Sequence, residues 1–64
     1  MFLKRLLRRP KYLLKKNKKN EWFFVLVAPN GKTILQSESY KRKSDALKGI
    51  NAVKKYAKAR VVEE

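Results

Sequence analysis

Five carboxylates, Glu21, Glu38, Asp45, Glu63 and Glu64, are the acid–base candidates in a 64-residue chain that contains no histidine and no cysteine. Acid–base catalysis needs such groups in a defined pair, and no two of the five stand in a recognisable one. The usual nucleophile–base couples and the zinc sites built from His and Cys are excluded by composition. Gly31-Lys32 places a glycine beside a lysine but lacks the longer glycine spacing of a phosphate loop, so it reads as a turn. Ser44 precedes a helical pattern, where a hydroxyl serves as a cap rather than a nucleophile. The expectation is a non-enzymatic protein with no cofactor, no metal and no small-molecule substrate.

The basic residues carry more information. Eighteen Lys and Arg against five acids give a net charge of +13. Residues 1–20 hold nine of the bases and no acid, whereas residues 21–64 hold nine bases and all five acids. Three clusters stand out: the arm (Lys4, Arg5, Arg8, Arg9, Lys11), a polar turn (Lys15, Lys16, Lys18, Lys19) and a loop (Lys41, Arg42, Lys43). Cations in this excess suit a polyanion, because each one that meets a phosphate releases a condensed counterion. Lys54, Lys55 and Lys58 need no such role, since cations are favoured at a helix C-terminus.

The elements that must position these groups follow from pattern and turn chemistry. Phe2, Leu3, Leu6 and Leu7 recur on one helical side between basic residues, and Pro10 ends the run, so residues 1–10 are expected to form a short, basic, amphipathic N-terminal helix or arm. Charges interrupt it too often for a transmembrane span or a secretory signal, and the lack of cysteine fits a cytoplasmic setting. Residues 11–64 form the domain. Tyr12-Leu13-Leu14 is a strand candidate, residues 17–20 are a polar turn, and residues 21–28 make an aromatic strand. Pro29-Asn30-Gly31 is a three-residue hairpin loop: Pro presets the first turn residue, Asn tolerates the second, and Gly takes the left-handed bulge position.

A loop of this kind sets Ala28 opposite Lys32, and continuing the count sets Leu26 opposite Ile34, Val25 opposite Leu35 and Phe24 opposite Gln36. One face then carries Trp22, Phe24, Leu26, Ala28 and Ile34. The other carries Phe23, Val25, Val27, Thr33 and Leu35 and is apolar too. Beyond the basic loop, a helix capped by Ser44 is expected to run to about residue 57 or 58. Its apolar stripe is Ala46, Leu47, Ile50, Val53, Tyr56 and Ala57, with Asp45 in the first turn and Gly49 allowing close approach to the sheet. Residues 59–63 read as a last short strand. At this size a domain is marginal alone, so association is expected.

Several of these elements stand in a recognisable order: Trp22, Phe24 and Leu26, then Ala28-Pro29-Asn30-Gly31, Ile34, Ser37-Glu38-Ser39-Tyr40, Lys43-Ser44-Asp45-Ala46-Leu47-Lys48-Gly49-Ile50 and Val53. From about residue 10 to 57 the chain resembles the YegP-like family of small uncharacterised proteins. The resemblance implies an α+β fold of βββαβ order, with two units sharing one sheet and exchanging their last strands. With one unit in this chain, it implies a homodimer. Two features depart from the family pattern: the N-terminal extension, and apolar Phe23, Val25 and Val27 at positions where the family carries polar residues.

The functional expectation is a basic module that binds nucleic acid through its phosphates, either structured RNA such as ribosomal RNA or DNA, using the three clusters named above. The alternative is a structural or protein-interaction module. In that case Phe2, Leu3, Leu6, Leu7, Phe23, Val25, Val27 and Leu35 form an interaction face that docks a partner or an anionic membrane surface, or the helix covers the sheet of its own chain.

Overall fold

The computed structural model describes residues 9–64; the expected N-terminal helix, and with it Phe2, Leu3, Leu6 and Leu7, falls outside the described residues. Three strands, β1 (Lys11–Lys16), β2 (Trp22–Val27) and β3 (Thr33–Gln36), are followed by one helix, α1 (Lys43–Lys55). The strands form an antiparallel sheet in the order β1-β2-β3, so the aromatic strand is central. This is the α+β architecture read from the sequence.

Side-chain amides build both turns. In the first, Asn17 Oδ1 accepts from the backbone N–H groups of Lys19 and Glu21, each at 2.9 Å. Asn20 takes a positive φ of 65°, a conformation that Asn tolerates better than most residues. In the second, Asn30 Oδ1 accepts from the Lys32 N–H at 3.0 Å, the Ala28 N–H donates to Lys32 O and the Gly31 N–H to Ala28 O, both at 2.8 Å, and Gly31 adopts φ 89°. Ala28 thus faces Lys32, as the loop chemistry predicts.

The register then departs from a simple count. Val27 pairs with Thr33 but Leu26 pairs with Leu35, so a bulge leaves Ile34 without a partner. Two expected placements are corrected by it. Ile34 leaves the core and is 59% exposed, and Leu35 moves from the Val25 side of the sheet to the Leu26 side, which removes it from the proposed interaction face. The bulge also moves Phe24 from Gln36 to Ser37. The Ser37 N–H donates to Phe24 O at 2.9 Å, and the Phe24 N–H donates to the Ser37 hydroxyl at 2.9 Å, so a side chain completes the ladder.

The core sits between β2 and α1. Phe24 is 2% exposed, Ala46 0% and Ile50 8%, and Ala46, Gly49, Ile50 and Val53 follow the spacing of a helical stripe. Gly49 is required there, since a β-carbon on it would stand 2.7 Å from the Tyr40 hydroxyl and 2.9 Å from the Phe24 ring. Phe24 is stacked with Tyr40 at 6.4 Å between ring centroids and meets Tyr12 edge-on at 6.0 Å. The stripe is narrower than its sequence suggests, because Leu47 and Tyr56 are exposed.

Both helix ends differ from expectation. Arg42, not Ser44, occupies the N-cap in an extended conformation with no side-chain cap bond, and its carbonyl accepts from Asp45 and Ala46. The helix turns off after Lys55, with Tyr56 as the C-cap. Residues 59–64 form no strand; Val61 is 95% and Val62 64% exposed. A strand needs a hydrogen-bonded neighbour, and the tail has none within the described chain.

Candidate nucleic-acid interface

Two of the three basic clusters meet at one end of the sheet. Trp22 opens β2 and is joined to Tyr40 by a two-residue bridge in which each N–H donates to the other's carbonyl at 2.7 Å. The Asn17 side-chain amide donates to Ser39 Oγ at 3.1 Å, adding a second tie between the first turn and the segment that leads into α1. These ties bring Lys15, Lys16, Lys18 and Lys19 to the same end as Lys41, Arg42 and Lys43, all of them exposed.

The half-buried indole of Trp22 lies at the centre of that end. Lys16, its register partner on β1, holds its ammonium 4.7 Å from the ring centroid, and Lys43, the first residue of α1, holds its own at 5.6 Å. Each contact is the attraction of a cation to an electron-rich ring face. Sequence reasoning set Trp22 on one apolar sheet face with Phe24 and Leu26 and gave it no other role. The signal for its second role was the pairing of β1 with β2 across the 17–21 turn, which sets Lys16 opposite Trp22. Lys15 sits opposite Phe23 and so belongs to the other face. Tyr40, beside the basic loop, is a packing residue, stacked on Phe24 with its hydroxyl against Gly49.

The third cluster starts elsewhere. Lys11 pairs with Val27, five strand positions from the Lys16–Trp22 pair, or about 17 Å away. Arg9 precedes it and is exposed, while Lys4, Arg5 and Arg8 fall outside the described residues. Of the proposed interaction face, Phe23 is half-buried, and Val25 and Val27 are 5% and 7% exposed on the side of the sheet away from α1. No helix among the described residues is long and apolar enough to cross a membrane.

Fold and site together define a small, strongly basic α+β module with one cationic end gathered around a tryptophan. By sequence the chain belongs to the family described as a domain of unknown function, DUF1508, whose model matches residues 17–64. It is 51% identical over 45 residues to a UPF0339 protein of Pseudomonas aeruginosa, covering 70% of this chain and 41% of that one. To the UPF0339 protein YegP of Escherichia coli it is 51% identical over 41 residues, covering 64% of this chain and 37% of the relative. The chain therefore spans about two fifths of the length of the curated relatives it matches. The solution structure of a protein from Haloferax volcanii matches with a TM-score of 0.78 at 25% identity, covering 91% of this chain and all of the other. The YegP-like resemblance is thereby established, and the family is one of unknown function.

Proposed function

We propose that the protein is a non-enzymatic, cytoplasmic module that binds nucleic acid through its phosphates, with the Trp22 end as the main contact. One observation carries the reading: the ties at Trp22–Tyr40 and Asn17–Ser39 gather two basic clusters into one surface. The five acids of the chain can neutralise at most five of its eighteen cations, so the excess is available to an external anion. Lysines contact phosphates as point charges and give affinity without base selectivity. An indole offers a stacking surface for an unpaired base, which favours RNA loops or single strands over uniform duplex. The test is recovery of the protein from its source cell with and without nuclease. Bound nucleic acid that is lost on nuclease treatment supports the reading; protein partners that survive nuclease, with no nucleic acid present, overturn it.

We also propose that the working form is a homodimer. Val61 and Val62 are exposed and the 59–64 tail has no strand partner among the described residues, while the curated relatives are more than twice as long as the segment they share with it. Sedimentation at micromolar concentration tests this: a dimer supports it and a monomer contradicts it.

A further inference from the structure

The helix lays a lysine on an aromatic ring of the sheet at each of its ends. Lys43, which opens α1, holds its ammonium 5.6 Å from the Trp22 ring centroid, and Lys54, in the last turn, holds its own 5.6 Å from that of Tyr12. Cross-strand partners share a sheet face, so the pairs Tyr12–Leu26, Leu14–Phe24 and Lys16–Trp22 place all six residues on the side that meets α1. The helix therefore runs along the sheet from Trp22 towards Tyr12, and its seam with β1 has a half-buried ring at either end.

The helix side of this seam is a stripe at i, i+4, i+7 and i+11: Lys43, Leu47, Ile50 and Lys54. Ile50 closes the core, whereas Leu47, between the two lysines, is 44% exposed. The seam is also one-signed. Neither β1 nor β2 contains an acid, and Asp45, the one acid of α1, stands about 160° around the helix axis from Lys43. Glu21, next to Trp22, is engaged by the Asn17 side-chain amide, which donates to its carboxylate at 3.3 Å. A helix C-terminus favours any cation, and that accounts for Lys55; Lys54 in addition rests on a ring of the sheet.

The dimensions select the ligand. Trp22 and Leu26, the partner of Tyr12, are four strand positions apart, or about 13 Å. A stacked strand advances about 3.4 Å per nucleotide, so about four or five nucleotides reach from one ring to the other. A duplex keeps its bases paired inside and cannot offer them to rings at two separated points, whereas a single strand can, with its phosphates left to the lysines.

We propose that the seam between β1 and α1 is a track for single-stranded nucleic acid. Trp22 stacks one base, Tyr12 stacks another, and Leu47 packs against the nucleotides between them. Lys16, Lys43 and Lys54 leave the ring faces for phosphates as the strand enters. The proposal rests on the nucleic-acid reading above and adds Tyr12, Leu47 and Lys54 to it, residues that the basic clusters do not contain.

The test is titration of the full-length protein with a uridine hexanucleotide, an RNA duplex and a polyglutamate peptide, read by quenching of its single tryptophan and by NMR shifts of the Leu47 methyls and the Tyr12 ring. The hexanucleotide should quench Trp22 and shift both other residues, and should bind more tightly than the duplex or the peptide. Lys54→Ala should weaken hexanucleotide binding several-fold and lower its salt slope by about 0.7, while the adjacent Lys55→Ala changes neither. Quenching of Trp22 with Leu47 and Tyr12 unmoved, or an equal loss in the two lysine variants, overturns the track and leaves the Trp22 end as the binding site. Equal affinity for the duplex or for polyglutamate also overturns it. Failure of both nucleic acids to bind at low salt overturns the track together with the reading beneath it.

Discussion

Trp22 and Tyr40 exchange two backbone hydrogen bonds of 2.7 Å, forming an isolated bridge beyond the end of β3. The bridge fixes both partners at once. It holds the indole within 4.7 Å of the Lys16 ammonium and 5.6 Å of that of Lys43, and it sets the Tyr40 ring on Phe24 with its hydroxyl facing Gly49. The cationic end and the core are therefore anchored by the same segment, and changes to the core should be felt at the surface.

Asn17→Ala removes the acceptor for two backbone N–H groups and the tie to Ser39. The half-buried turn loses about 1–3 kcal/mol, read as a lower urea midpoint at unchanged slope. The variant should also weaken nucleic-acid binding, because the turn lysines lose their fixed position beside the 41–43 loop.

Gly49→Ala sets helix propensity against sterics. The exchange favours the helix by about 1 kcal/mol, but the new methyl meets the Tyr40 hydroxyl at 2.7 Å and the Phe24 ring at 2.9 Å. Overpacking costs about 1–3 kcal/mol, so net destabilisation of about 1 kcal/mol is expected by chemical denaturation. In a Tyr40→Phe background the hydroxyl clash is gone and the cost of Gly49→Ala should fall; an equal cost in both backgrounds refutes the assigned contact.

Ser37→Ala leaves the N–H of buried Phe24 without its acceptor. A loss of about 1–3 kcal/mol is expected, together with faster hydrogen exchange at the Phe24 amide, while Ser37→Thr keeps the hydroxyl and should keep most of the stability. Equal stability of the Ala and Thr variants contradicts the role given to the hydroxyl.

The sequence was most legible where local chemistry decides. Pro29-Asn30-Gly31 and the Asn-flanked 17–20 turn specify their own backbone, and from them follow three strands with β2 in the middle. Gly49 was legible as a close approach because a glycine inside a helical stripe needs a reason. The bulge at Ile34 was not, since it is a choice between Gln36 and Ser37 as partner for Phe24, and the Ser37 hydroxyl decides it. Helix capping by Arg42 was missed for a related reason: the Trp22–Tyr40 bridge delivers the chain to α1 already extended, leaving Ser44 inside the helix. The grouping of Lys16 and Lys43 on Trp22 joins residues from β1, β2 and α1, so no window of sequence contains it.

The central claim is that the Trp22 end binds phosphates. It is tested most directly by measuring affinity for a structured RNA and a single strand across a salt series, for the native protein and for Lys16→Ala combined with Lys43→Ala. The expected plot of log affinity against log salt is linear with a steep negative slope. The double variant should reduce that slope by about 1–2 and weaken binding to all sequences alike, whereas Lys32→Ala, at the far hairpin, should change neither. Affinity that does not respond to salt, or a double variant indistinguishable from the native protein, contradicts the account.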